Sequence, residues 1–102
     1  MIKRRDYPKE LLIGDQVYKV KFVRKFADKQ TVGECDPSAL EIRILCGQGP
    51  KDTLKTFIHE VCHALIEFEH DIEIKHKLIY ALEEPFFKFF CDNFLWKTRS
   101  KR

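Results

Sequence analysis

The stretch Thr56-Phe57-Ile58-His59-Glu60-Val61-Cys62-His63-Ala64-Leu65-Ile66 decides how the rest of this 102-residue chain is read. It carries His-Glu-x-x-His inside an apolar run with the length and composition of a helix. Two histidines four apart share one helical face, about one turn from each other. Both imidazoles can then reach a single Zn²⁺, with ring nitrogens ~2.0–2.1 Å from the metal. Glu60 follows His59 directly, where its carboxylate can reach a metal-bound water without replacing it. Zn²⁺ lowers the pKa of such a water to about 7, and a nearby carboxylate takes the remaining proton. The plainer reading is an amphipathic helix that carries two histidines and a glutamate by chance. Its flanks weigh against that. Phe57, Ile58, Val61, Cys62, Ala64, Leu65 and Ile66 make the helix apolar nearly all round, so it should be buried. Buried His and Glu are rare unless something satisfies them, and one metal ion satisfies all three.

The length suits one domain over residues 1–102, with a single core. It is too short for a two-lobed metalloprotease. Nine Phe give the core bulk, and the net charge of +3 is too mild to demand nucleic acid. Most of the positive excess sits at the ends, in residues 1–9 (Lys3-Arg4-Arg5) and 96–102 (Lys97 to Arg102). Such runs are expected to be solvated and frayed. A polyanion-binding arm is the minor alternative. Met1 leads into charge rather than an apolar core, so no export signal is visible, and no run reaches the length of a membrane helix. The expectation is a cytoplasmic protein that binds neither membrane nor nucleic acid. Cys35, Cys46, Cys62 and Cys91 make no CxxC pair and read as reduced thiols, with Cys62 in the core and off the His59/His63 face.

Ahead of the motif, Leu11-Leu12-Ile13 meets Gly14-Asp15, a two-residue turn signal, and residues 17–23 then alternate as a strand. Residues 31–35 form a short strand, Asp36-Pro37-Ser38 a turn, and residues 40–45 a strand paired back antiparallel. The motif helix should begin between Pro50 and Thr53 and end near Phe68. A second helix should run from about Glu73 to Phe94, with Pro85 kinking or splitting it. The predicted order is ββββαα. The fold class is α+β: an antiparallel sheet of about four strands packed on the motif helix, with the second helix covering that helix from the other side.

Gly33-Glu34-Cys35-Asp36 and Leu40 to Ile44, then Thr53 to Glu60, then His76-Lys77-Leu78-Ile79-Tyr80-Ala81-Leu82-Glu83 follow one another in an order that resembles the small zincin-type metallopeptidases often encoded by phages and bacteria. The layout is also similar to the core of the SprT-like and ImmA/IrrE-like proteases. The resemblance spans about residues 10–94, and its sharp element is His-Glu-x-x-His. It implies a minimal zincin with one Zn²⁺. It further implies that a peptide or protein substrate lies extended along a sheet edge near Thr31 to Cys35, held by backbone pairing.

A catalytic zinc takes three protein ligands plus water. After His63 the donors are Glu67, Glu69, His70, Asp71, Glu73, His76, Glu83 and Glu84. The metzincin pattern does not fit, because position 69 is Glu and no Gly precedes His70. The matching position in the small phage-type proteins favours His76, thirteen residues past His63. Glu83, twenty residues past His63, has a spacing similar to the thermolysin-like gluzincins and comes second. His76, Tyr80 and Glu83 share one helical stripe. Tyr80 is expected to pack on the sheet, with a hydrogen bond to a tetrahedral intermediate as the lesser alternative. The expected function is a zinc-dependent peptidase with Glu60 as catalytic base and His59, His63 and His76 on the metal. The alternative is a zinc-containing binding or regulatory module of the same fold without peptidase activity.

Overall fold

A computed structural model of the chain describes residues 3–67 and 70–91. The elements are a 3₁₀ turn at Arg4–Asp6, strands β1 (Glu10–Ile13), β2 (Gln16–Val23), β3 (Gly33–Asp36) and β4 (Glu41–Leu45), and helices α1 (Pro50–Leu65) and α2 (Ile72–Phe90). The class is α+β. The sheet runs β1-β2-β4-β3 and is mixed, because β2 and β4 are parallel.

Both hairpins form where the turn residues place them. Gly14 takes φ 65° in the β1–β2 turn, a conformation that suits a residue without Cβ. In the β3–β4 turn the Asp36 carboxylate accepts from the Ser38 and Ala39 amides. What differs from expectation is how the hairpins join. β4, not β3, lies against β2, so the sheet is not wholly antiparallel. Side-chain volume explains the order. Ile42 and Ile44 on β4 are completely buried beneath α1, whereas the matching inward positions of β3 are Gly33 and Cys35. The strand with more apolar area takes the central place.

Tyr18 and Val20 of β2, Ile42 and Ile44 of β4, Leu54, Phe57, Ile58 and Cys62 of α1, and Ile79 of α2 make the core. Each large member contributes roughly 1.5–3 kcal/mol by leaving water. The opposite sheet face is polar. There Arg43 binds Glu34, Asp36 and Glu41, and Lys21 binds Glu41.

The basic lead-in is not frayed from Lys3 onward. Tyr7 is buried and packs edge-on against Phe22 and Phe57, anchoring the segment to the core. The basic stretch 96–102 lies outside the described residues.

Gly49 caps α1, with Pro50 in its first turn, as the breaker sequence predicts. The helix ends at Leu65, and Phe68 lies outside the described residues. The Asp71 carboxylate caps α2 by accepting from the Glu73 and Ile74 amides. α2 runs through Pro85 without being split. Leu82, Phe86, Phe87 and Phe90 pack against the core on both sides of the proline, which offsets the lost hydrogen bond. Its expected extension to Phe94 lies outside the described residues. No described helix is long and apolar enough to cross a membrane.

Candidate metal centre

His59, Glu60 and His63 lie on the part of α1 between β3 and α2. The alternation of buried and half-buried positions follows the helical period. Ile58, Cys62 and Ala64 turn into the core, while His59 and His63 form the neighbouring, half-open stripe. Cys62 is completely buried and stands off the histidine face, as the spacing predicts.

The Nε2 atoms of His59 and His63 are 3.2 Å apart. Two nitrogens each ~2.0–2.1 Å from one tetrahedral Zn²⁺ stand about 3.3 to 3.4 Å apart. The pair therefore has the bite of two ligands on one ion. On the far side of His59, the Glu83 carboxylate meets Nδ1. Nδ1–H donates to Glu83, which leaves the Nε2 lone pair directed at His63. A carboxylate in that position orients a ligand imidazole and raises its basicity.

The His63 imidazole has its pKa lowered from 6.5 to about 4, by burial first and then by the nearby His59, Lys75 and His76. It is neutral at pH 7, the form that ligates a metal. Glu60 is 7 % exposed, and its carboxyl is pushed up from 4.5 to about 7. Burial is the main cause; Glu34 and Glu83 add to it, and His59 opposes it.

Glu60 lies against the sheet edge, because β3 passes α1 at a glycine. A Cβ at Gly33 would stand 2.5 Å from Thr56 Cγ2 and 2.9 Å from Glu60 Oε2. The absent side chain thus lets an edge strand and a buried carboxylate touch. The sequence showed the glycine but not that contact, which depends on which strand is at the edge.

The two third-ligand candidates separate. Glu83 engages His59 from behind, in an orienting position. The His76 ring is exposed and stands 6.3 Å from that of His63, nearly perpendicular to it. Rings sharing one ion would be about 5 Å apart, so His76 is roughly one ångström beyond that separation. The His59 and His63 rings are 4.8 Å apart. Among the described residues no three His, Cys, Asp or Glu side chains come together closely enough to hold a metal ion. His59 and His63 bring two ring nitrogens together, and the His76 ring stands apart from them. Tyr80 is 67 % exposed and so is not packed on the sheet. It stands 6.3 Å from His76, ring to ring. His70 is exposed.

Comparison with family profiles, curated proteins and solved structures gives no match. The functional reading rests on this geometry.

Proposed function

We propose that the chain is a zinc-dependent peptidase of minimal zincin form. His59 and His63 hold the ion, His76 supplies the third ligand and Glu60 is the catalytic base. The observation that carries the reading is the 3.2 Å separation of two imidazole nitrogens, one of them backed by a carboxylate. A hydrogen bond between the two rings gives the same separation, so zinc binding by the purified protein decides between them.

Zn²⁺ bound there supplies Lewis acidity toward a carbonyl oxygen and lowers the pKa of water. The remaining roles belong to the chain. Glu83 keeps the His59 proton on Nδ1, so Nε2 stays a donor to the metal. In the metal-free chain burial raises the Glu60 carboxyl to about 7; the charge of a bound Zn²⁺ would draw it back down and favour the carboxylate that a general base requires. It accepts a proton from the attacking water as the water oxygen bonds to the acyl carbon. It then returns that proton to the amine nitrogen as the C–N bond breaks, so one water is consumed per peptide bond. The outer edge of β3 is the sheet edge next to Glu60. An extended peptide paired to it would present its backbone to the base.

The test is a peptide-library digest with zinc-loaded wild type and Glu60→Gln. The wild type should cleave; the variant should bind zinc as well as the parent and lose turnover. A Glu60→Gln protein that cleaves at the parent rate overturns the assignment. The second reading is a non-catalytic zinc module of the same fold, in which the small domain offers little wall for a substrate pocket. Spectra of the Co²⁺-substituted protein separate the two, since a closed four-ligand site without exchangeable water excludes the peptidase.

A further inference from the structure

The fold turns the basic lead-in, a tail in the sequence, into one wall of a groove. β1 covers β2 only from Gln16 to Lys19, and the last bond on that side runs from the Val20 amide to the Lys9 carbonyl, at 2.9 Å. Beyond it the Lys3–Pro8 segment runs beside β2, held by Tyr7. Between the two lies an open groove of about 1220 Å³. Lys3, Arg4, Arg5, Lys9, Lys19 and Lys21 line it.

Its charge is only partly neutralised: Lys19 stands in register between Glu10 on β1 and Glu41 on β4. Lys21 pairs with Glu41, but Lys3, Arg4, Arg5, Lys9 and Lys19 form no ion pair among the described residues. Glu10 is the single carboxylate lining the groove. Asp6 is turned to the Lys3 amide as a cap. The adjoining sheet face behaves otherwise, since Arg43 there is met by three carboxylates. Positive charge gathered in such excess repels itself and attracts a polyanion. The groove also holds a flat platform: the Arg4 guanidinium sits 5.2 Å over the Phe22 ring. A guanidinium plane fixed in this way can stack an unpaired base.

We propose that this groove binds single-stranded nucleic acid. Lys3, Arg5, Lys9 and Lys19 contact phosphates, and Arg4 stacks a base. A concave cleft suits a strand that enters it better than a flat lipid surface. The groove lies on the β1/β2 side of the sheet, at the opposite edge from β3 and Glu60, so the proposal stands apart from the peptidase reading.

The experiment is fluorescence anisotropy of the full chain with labelled oligo-dT and RNA of about 20 nucleotides, from about 50 to 200 mM salt. Four phosphate contacts predict a log–log slope of about −2.8. Arg5→Gln/Lys9→Gln/Lys19→Gln should bind roughly 100-fold more weakly at ~0.1 M salt, with a slope shallower by about 2. All three side chains are exposed, so its thermal melt should match the parent. Lys29→Gln/Lys77→Gln, exposed and away from the groove, should bind as the parent does. The proposal is overturned if the groove variant keeps parental affinity. It is equally overturned if Lys97→Gln/Arg99→Gln/Lys101→Gln abolishes binding while the groove is intact, or if duplex DNA or phosphatidylglycerol vesicles bind more tightly than the single strands.

Discussion

Replacing Gly33 by Ala probes the contact that brings the sheet edge to the buried carboxylate. The new methyl would stand 2.5 Å from Thr56 Cγ2, 2.9 Å from Glu60 Oε2 and 3.1 Å from Glu60 Cγ. Carbon atoms prefer about 3.5–4.0 Å, so β3 and α1 must part by about an ångström or the side chains must turn. Thr56 is poorly placed to turn. It is buried, β-branched, and its hydroxyl donates to Gln48 Oε1 at 3.1 Å. Overpacking of this kind costs about 1–3 kcal/mol. Taking about 2 kcal/mol, and 4–8 °C per kcal/mol for a domain of this size, Tm should fall by roughly 8–16 °C. Thermal melts and urea titrations in the presence of a chelator would measure it without contribution from metal. Adding Thr56→Ser removes Cγ2 but keeps the hydroxyl, and should restore most of the loss. The Glu60 carboxylate would still be displaced, so peptide hydrolysis should not recover with stability. A Gly33→Ala protein within about 0.5 kcal/mol of the parent would refute the close approach of β3 to α1.

Three further outcomes follow from the same geometry. Glu83→Ala should weaken zinc binding about 10- to 100-fold by freeing the His59 ring, as read by competition with a chromophoric chelator; unchanged affinity would remove its orienting role. Without metal, Glu60 (raised to about 7) stabilises the fold below about pH 4.5, and this is lost as pH rises through 7. His63 (lowered to about 4) stabilises it above about pH 6.5, and this is lost as pH falls through 4. The two slopes oppose each other between about pH 4.5 and 6.5, so the metal-free Tm should be nearly level there and fall on either side; a Tm that climbs steadily from pH 6.5 to 8 would contradict the Glu60 assignment, and one that does not fall as pH drops through 4 would contradict that of His63. Asp71→Ala removes the α2 cap and should cost about 1 kcal/mol in a urea titration, whereas Asp71→Asn should cost much less.

What could be read in advance was local. His59 and His63 share a face because the helical period requires it, and Gly14-Asp15 and Asp36-Pro37-Ser38 specify their turns through backbone preference. Partner choice between strands was not legible. Alternation in residues 17–23 and 40–45 says which side chains point inward, not which strand lies alongside, so the parallel β2–β4 pairing emerged only with the packing of Ile42 and Ile44 under α1. Tyr7 was a missed signal, a lone large aromatic in a polar run. The split between Glu83 and His76 depends on where α2 crosses α1, which spacing along one helix does not encode. Pro85 shows packing overriding a local rule.

The central claim is that the imidazoles at 59 and 63 share one ion. Zinc titration of the metal-free protein, read by calorimetry and by elemental analysis after gel filtration, tests it most directly. The account predicts one Zn²⁺ per chain, retained by Glu60→Gln and lost in His59→Ala and in His63→Ala. A parent protein that retains no zinc, or a His63→Ala variant that binds it as tightly as the parent, would contradict it.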